Sequence, residues 1–327
     1  MKNWNMKIAD YLRCEPDIQW QYAAQLGVRY AVGRMPDGQM SETARSLDRL
    51  HAMQKRYEDA GFVLEVLEPA PLNQKLKMGL PGADEEIETM IQLIRNMGKL
   101  GIKVLCYNFT AHFNWVRTRL AIPDRGGALV TGYRHSDLDA RVVTEDGVVT
   151  HEQLWQNLTR LQQAIVPEAE AAGVRLALHP DDPPQPVIQH IGRILTSAEA
   201  MERAINIVPS PNAGIAMCQA TFQMMGEDVL NCIRRFGAAG KINLVHFRDV
   251  RGTRDDFHET FHDDGMTDMG ACIRAYRDVG YDGCIRVDHV PTMAGEMNNR
   301  PGYESLGRLF AIGYLKGLIK MAESETR

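Results

Sequence analysis

Four residues of metal-binding type stand at the ends of four apolar runs. VRLALH closes on His179, AGIAMC on Cys218, INLVHF on His246 and GCIRVD on Asp288. Two imidazoles, a thiolate and a carboxylate make an N/S/N/O donor set suited to a first-row divalent ion. Singly, each has a plain structural explanation: a satisfied histidine, a core cysteine, an aspartate capping the next helix. Together, at four consecutive run ends, they point to one metal site. Neighbouring strands lie ~4.8 Å apart, so side chains at adjacent strand ends can share an ion.

Other polar groups gather near these four. PDDPPQP follows His179 at once. Proline fixes its own φ and cannot join a ladder, so this exit is stiff. Asp181 and Asp182 there can orient ligands, meet a substrate, pair with a cation or cap the turn. Arg248 lies two residues past His246, and Arg251 lies slightly further on. Arginines beside a metal suit an anionic, carboxylate-bearing substrate. His289 directly follows Asp288, and Tyr303 opens the last helical stretch. Both are plausible proton carriers. Nearby metal and cations can lower a tyrosine's pKa enough to make it a base. His258 and His262 have the spacing of a metal pair on a helix, although a solvated loop suits them equally.

The elements that must position these groups alternate. Eight β-rich runs are expected at 6–11, 28–33, 62–68, 102–109, 174–179, 213–218, 242–247 and 283–288. Helical patterns follow them through Tyr22–Gln25, then at 41–60, 84–100, 151–173, 196–207, 228–236, 268–279 and about 304–322. Eight such units predict a (β/α)8 TIM barrel, whose strand ends surround one mouth. The nearly continuous apolar character of the runs fits burial on both faces. An open doubly wound sheet is the rival, but no G-x-G-x-x-G or Walker A pattern occurs. No linker divides the chain, so 1–327 is expected as one domain. It carries a long insertion at about 110–149, with a Gly-rich piece resembling a hairpin. Long loops of this kind are usually functional or mobile.

Composition narrows the function. The chain of 327 residues is 44% apolar and 24% charged, with a net charge of -5. That balance argues against a nucleic-acid partner. No run reaches the ~18 apolar residues of a membrane span. The N-terminus is too polar for a secretory signal, so a cytoplasmic location is expected. The six cysteines are scattered without a C-x-x-C pair, as in reduced cytosolic proteins. A homodimer is the symmetry-based expectation.

The motifs, taken in order, resemble one family. CYNF…W-x-R-T, HPDDPP, MC at a strand end, HFR followed by FHE and a D-M pair, DH, and PGY-x-x-x-GR are similar to the D-mannonate dehydratase family over most of the chain. The resemblance implies a xylose-isomerase-like barrel. It implies elimination of water from D-mannonate to give 2-keto-3-deoxy-D-gluconate, in hexuronate breakdown. It places Mn²⁺ or Fe²⁺ on His179, Cys218, His246 and Asp288, and the acid–base pair on His289 and Tyr303. Substrate contacts would fall on Arg248, Asp181, Asn108 and Trp115.

The chain departs from the family pattern in places. RVDHVP stands where R-P-D-H-G-H is common, so Val287 replaces a proline and the second histidine is absent. MKIADYL replaces a W-x-W-Y-G-like strand, and the insertion is short. These changes surround the mouth, where the distal carbons of a substrate would lie. The alternatives are a dehydratase of another aldonic acid and an isomerase or epimerase of the same barrel type. An isomerase would need no arginine clamp and would favour carboxylate ligands over Cys218. A sugar-acid-binding protein on a retired barrel would not need all six site residues.

Overall fold

The computed structural model describes residues 4–71, 74–113, 115–138 and 147–325. Eight parallel strands close into a barrel in chain order: β1 (Lys7–Arg13), β2 (Tyr30–Arg34), β3 (Val63–Leu67), β4 (Val104–Asn108), β5 (Arg175–His179), β6 (Ala213–Cys218), β7 (Ile242–Phe247) and β8 (Cys284–Val287). Each expected run is a strand, within two residues at either end. Helices wrap the outside.

Side chains alternate across a strand, and the barrel uses this period of two directly. One small cluster fills its interior: Ala9, Val32, Val66, Val104, Ala177, Ala216, Leu244 and Cys284, one from each strand, with Cys106 beside them. The residue two positions further along each strand must face inward as well. Those residues are Tyr11, Arg34, Glu68, Cys106, His179, Cys218, His246 and Arg286. An apolar plug therefore carries a polar ring at the C-terminal end of the strands, the end where barrel active sites lie. The outward residues, such as Leu176, Leu178, Met217 and Val245, join the larger core under the helices.

Helix boundaries follow local chemistry. The helix of 151–172 starts at a capping box, in which Thr150 and Gln153 bond each other's backbone. It stops at Gly173, which is left-handed with φ 67°. The helix expected over 41–60 is two helices, Met40–Arg45 and Leu47–Asp59. Ser46 is extended between them, and its side chain accepts from Arg49 N, capping the second helix.

The insertion does contain a hairpin, Arg119–Pro123 against Leu129–Arg134. It pairs on with Asp256–Glu259 and then Val250–Gly252, giving a four-stranded sheet at the mouth. Residues 114 and 139–146 of the insertion lie outside the described residues. The 258/262 helix pair is not formed. His258 sits in the strand Asp256–Glu259, while buried His262 bonds the Phe247 carbonyl at 2.8 Å. Among the described residues, no helix is long and apolar enough to cross a membrane.

Candidate active site

The ring gathers three of the expected donors, and Asp288 lies just beyond it. His179 Nε2 and His246 Nδ1 are 3.1 Å apart, and His246 Nδ1 is 3.7 Å from Asp288 Oδ2. One donor atom each from His179, Cys218 and His246 lies within 4.8 Å of the others. Metal–N and metal–S bonds of roughly 2.0–2.3 Å place neighbouring ligands at such separations. Asp288 follows the last residue of β8 and is anchored by its N–H to the Phe247 carbonyl at 3.0 Å.

The surrounding bonds prepare these atoms. His179 Nδ1 donates to the Pro180 carbonyl at 2.7 Å, which leaves Nε2 bare of hydrogen. Thr221 donates to Cys218 Sγ at 3.1 Å. His246 turns its far nitrogen to Glu68 Oε1 at 3.2 Å. Glu68 lies in the fork of Arg286, with bonds of 2.9 and 3.2 Å. A carboxylate behind an imidazole of this kind orients the ring. Glu68, Cys106 and His246 form a second trio of possible donors. Burial pushes the Cys106 thiol well up, and its S–H points to Glu68, so it is a poor ligand. The trio His179, Cys218 and His246 therefore fits a divalent ion better, and Asp288, whose Oδ1 is taken by Arg286 at 2.7 Å, keeps Oδ2 beside it.

The second expected pair also meets. His289 Nε2 lies 2.9 Å from the Tyr303 hydroxyl, and His289 Nδ1 lies 3.0 Å from Glu259 Oε1. With Nδ1–H given to Glu259, Nε2 accepts from the Tyr303 O–H. Burial holds His289 below its ordinary pKa and pushes Tyr303 well above its own. In the bare protein the tyrosine thus keeps its proton, the reverse of a tyrosine base. His289 has φ 34°, uncommon for a residue with a Cβ. Such outliers gather where surrounding structure over-determines a side chain.

HPDDPP divides its labour. Asp182 takes Arg117 at 2.8 and 3.0 Å and Arg248 at 2.7 Å, and it lines the cavity beside the donors. Burial alone would raise its pKa, but the two guanidinium groups pull it below the usual range. Asp181 does not line that cavity. Its oxygens accept from Thr110 Oγ1 and Leu195 N, both at 2.9 Å, so it pins the loop. Arg248 is buried, and its Nη2 makes no hydrogen bond among the described residues. Asn108 lines the cavity and accepts from Lys77 Nζ at 2.8 Å. Trp115 lines it too, with its ring 4.9 Å from His289. Arg251 points away, paired with Asp264.

The comparisons with known proteins agree with this geometry. The family model described as D-mannonate dehydratase (UxuA) matches residues 15–148 and 142–327. The chain belongs to the D-mannonate dehydratase family. It is a hydro-lyase by that membership. The mannonate dehydratase of Streptococcus agalactiae serotype III is 32% identical, over 91% of this chain and 92% of that one. The mannonate dehydratase structure from Streptococcus suis serotype 2 superposes with a TM-score of 0.90 at 32% identity, covering 98% of this chain and 95% of that one. A xylose isomerase domain protein from Planctomyces limnophilus shares the fold, with a TM-score of 0.64 at 14% identity over 98% and 99% of the two chains.

Three residues of this family member's site escape a reading by strand ends. Glu68 and Arg286 belong to the ring and could have been found by counting two past the plug. Glu259 lies beyond β7 and reaches His289 only through the fold.

Proposed function

We propose that the chain removes water from D-mannonate or a close relative, giving a 2-keto-3-deoxy acid such as 2-keto-3-deoxy-D-gluconate. His179, Cys218, His246 and Asp288 would hold Mn²⁺ or Fe²⁺. The observation that carries the proposal is the 2.9 Å bond between His289 and Tyr303, made by the residue next to Asp288. When bound, the ion would spread the charge that develops on the substrate carboxylate as C2 loses its proton.

The chain's own residues supply the rest. Arg248 offers an unspent, buried N–H to the carboxylate. His289 Nε2 takes the C2 proton. Tyr303 gives its hydroxyl proton to the departing C3 hydroxyl, which leaves as water while C2 and C3 become doubly bonded. The proton on His289 then crosses to the Tyr303 oxygen along their shared hydrogen bond, resetting both. The enol ketonises to the 2-keto acid. Glu259 holds Nδ1 throughout and stabilises the imidazolium.

The test is turnover of an aldonic acid panel by Mn²⁺-loaded protein, D-mannonate first, with C2–H exchange followed in D₂O. Tyr303→Phe should lose water elimination by about 10²-fold or more yet keep exchange at C2. His289→Asn should lose both. Exchange kept by His289→Asn and lost by Tyr303→Phe would reverse the two roles. Silence of the wild type on every acid would sink the dehydratase proposal.

A further inference from the structure

A second cavity, of about 370 Å³ against about 140 Å³ for the first, opens beyond the acid–base pair. Tyr11, Arg34, Trp115 and Tyr303 line both cavities and form the neck between them. The Tyr303 ring lies 6.1 Å from Tyr11 and 6.0 Å from Trp115, within the reach of a six-carbon chain. The second chamber therefore starts at the phenol and runs away from the metal donors. The chemistry at C1, C2 and C3 leaves it unfilled.

Its walls are cationic. Arg13, Arg34, Arg300 and Arg308 face only two carboxylates, Asp17 and Asp37. With Asp10 behind Arg308 counted, one cation remains in excess. Arg34 is committed to Asp37 and the Tyr11 hydroxyl, but the other three are not fully spent. Among the described residues, the Arg300 guanidinium reaches only Asp17, at 3.8 Å, and that of Arg13 only Asp37, at 3.4 Å. Arg308 commits Nη1 to Asp10 and to the Tyr11 carbonyl. Buried Gln19 adds an acceptor, since its Oε1 makes no hydrogen bond among the described residues. Free guanidinium donors beside a free acceptor suit a polyol segment ending in an anion.

The chamber is also joined to the chemistry. Arg300 and Tyr303 are the two ends of one turn, with Tyr303 N bonded to the Arg300 carbonyl at 2.7 Å. Gly302 closes that turn at φ 80°, a conformation glycine adopts without penalty. An anion held by Arg300 would steady the loop that presents the Tyr303 hydroxyl.

We infer that this chamber binds the remote end of the substrate and that this end bears a second anionic group, gripped by Arg300 and Arg308. The group is a terminal carboxylate or a phosphate. The inference presupposes the dehydration proposed above and sharpens its substrate: D-mannonate is the minimal one, and a dianionic relative is preferred.

The experiment compares D-mannonate, D-mannarate and 6-phospho-D-mannonate on the Mn²⁺-loaded full chain. Turnover gives kcat/KM, and calorimetry on His289→Asn gives binding without reaction. At least one dianion should exceed D-mannonate by about tenfold or more in both. Arg300→Gln should shrink that ratio, and so should Arg13→Gln, a milder change on an exposed side chain. Lys55→Gln, at an exposed residue paired with Asp59 and outside the lining of both cavities, should leave the ratio unchanged. A gain for D-mannarate alone assigns a carboxylate, and a gain for the phosphorylated acid alone assigns a phosphate. A gain for both assigns a general anion site. No gain for either, or a gain that survives both arginine substitutions, overturns the inference. If no acid is turned over, the dehydratase proposal falls by itself, and calorimetry still decides whether the chamber prefers dianions.

Discussion

A histidine offers a substrate one ring nitrogen, and the bond made by the other decides which. Here Glu259 takes Nδ1 of His289 and Arg117 holds Glu259, while the same guanidinium holds Asp182. Burial would push Glu259 up, but Arg248 and Arg117 pull it down to about 2, so it stays charged at neutral pH. Glu259→Gln keeps the shape and removes the charge that steadies a protonated His289. The expected result is a kcat loss of about 10²-fold, KM within a few-fold, and metal content unchanged. Equal loss of metal and activity would instead mark Glu259 as a support of the donor set. Residue types alone pointed to the four donors and His289, because each ends an apolar run or adjoins one, and to Tyr303 at the opening of the last helical stretch. Asp181 and Asp182 were indistinguishable there. Only the fold shows that Asp182 faces the cavity and Asp181 faces the loop. Arg117 and Glu259 stand 142 positions apart, a separation no local pattern bridges.

At the scale of elements, the exit of β7 is secured by a residue that takes no part in chemistry. His262 stacks on Phe247 at 5.5 Å and bonds its carbonyl, joining the segment after the Asp256–Glu259 strand to the barrel. Burial lowers its pKa to about 4. An unfolded histidine titrates near 6.5, so between these values the unfolded chain binds a proton that the folded chain refuses. This contribution is whole above pH 6.5, and it is lost as the pH falls toward 4. It amounts to roughly 3 kcal/mol. Thermal melts from pH 7 to pH 4 should therefore fall more steeply for the wild type than for His262→Gln. Parallel curves would show that His262 is not what the acid acts on. Periodicity predicted this strand-and-helix order well, since buried strands and amphipathic helices carry strong patterns. It failed where one residue overrides a pattern. Ser46 turns one amphipathic stretch into two helices by capping the second. The ribbon of 250–259 shows as loop in sequence because its strands are short and its outer strand, Asp256–Glu259, completes its pairing only on the distant insertion hairpin.

Across the whole molecule, the barrel closes only when all eight strands contribute to the plug, and the ring above it inherits their registry. That ring and its supports bury a dense set of charges: Arg117, Arg248 and Arg286 against Glu68, Asp182, Glu259 and Asp288. The carboxylates outnumber the guanidinium groups by one, and a Cys218 thiolate would add a second negative charge. A divalent ion would balance the pair, so its binding should stabilise the whole fold rather than one loop. Ligands bound only by the folded chain stabilise it by mass action, by about 2.7 kcal/mol at a hundredfold excess over Kd. For a chain of this size each kcal/mol moves Tm by roughly 2 °C or somewhat more. Stripping the protein with a chelator should thus lower Tm by about 5 °C, and added Mn²⁺ should restore it. Cys218→Ser, which removes the sulfur donor, should melt close to the stripped wild type and gain little from Mn²⁺. A Tm unmoved by chelation, with metal loss verified by elemental analysis, would mean that the buried charges are settled among themselves and that the ion serves the chemistry alone.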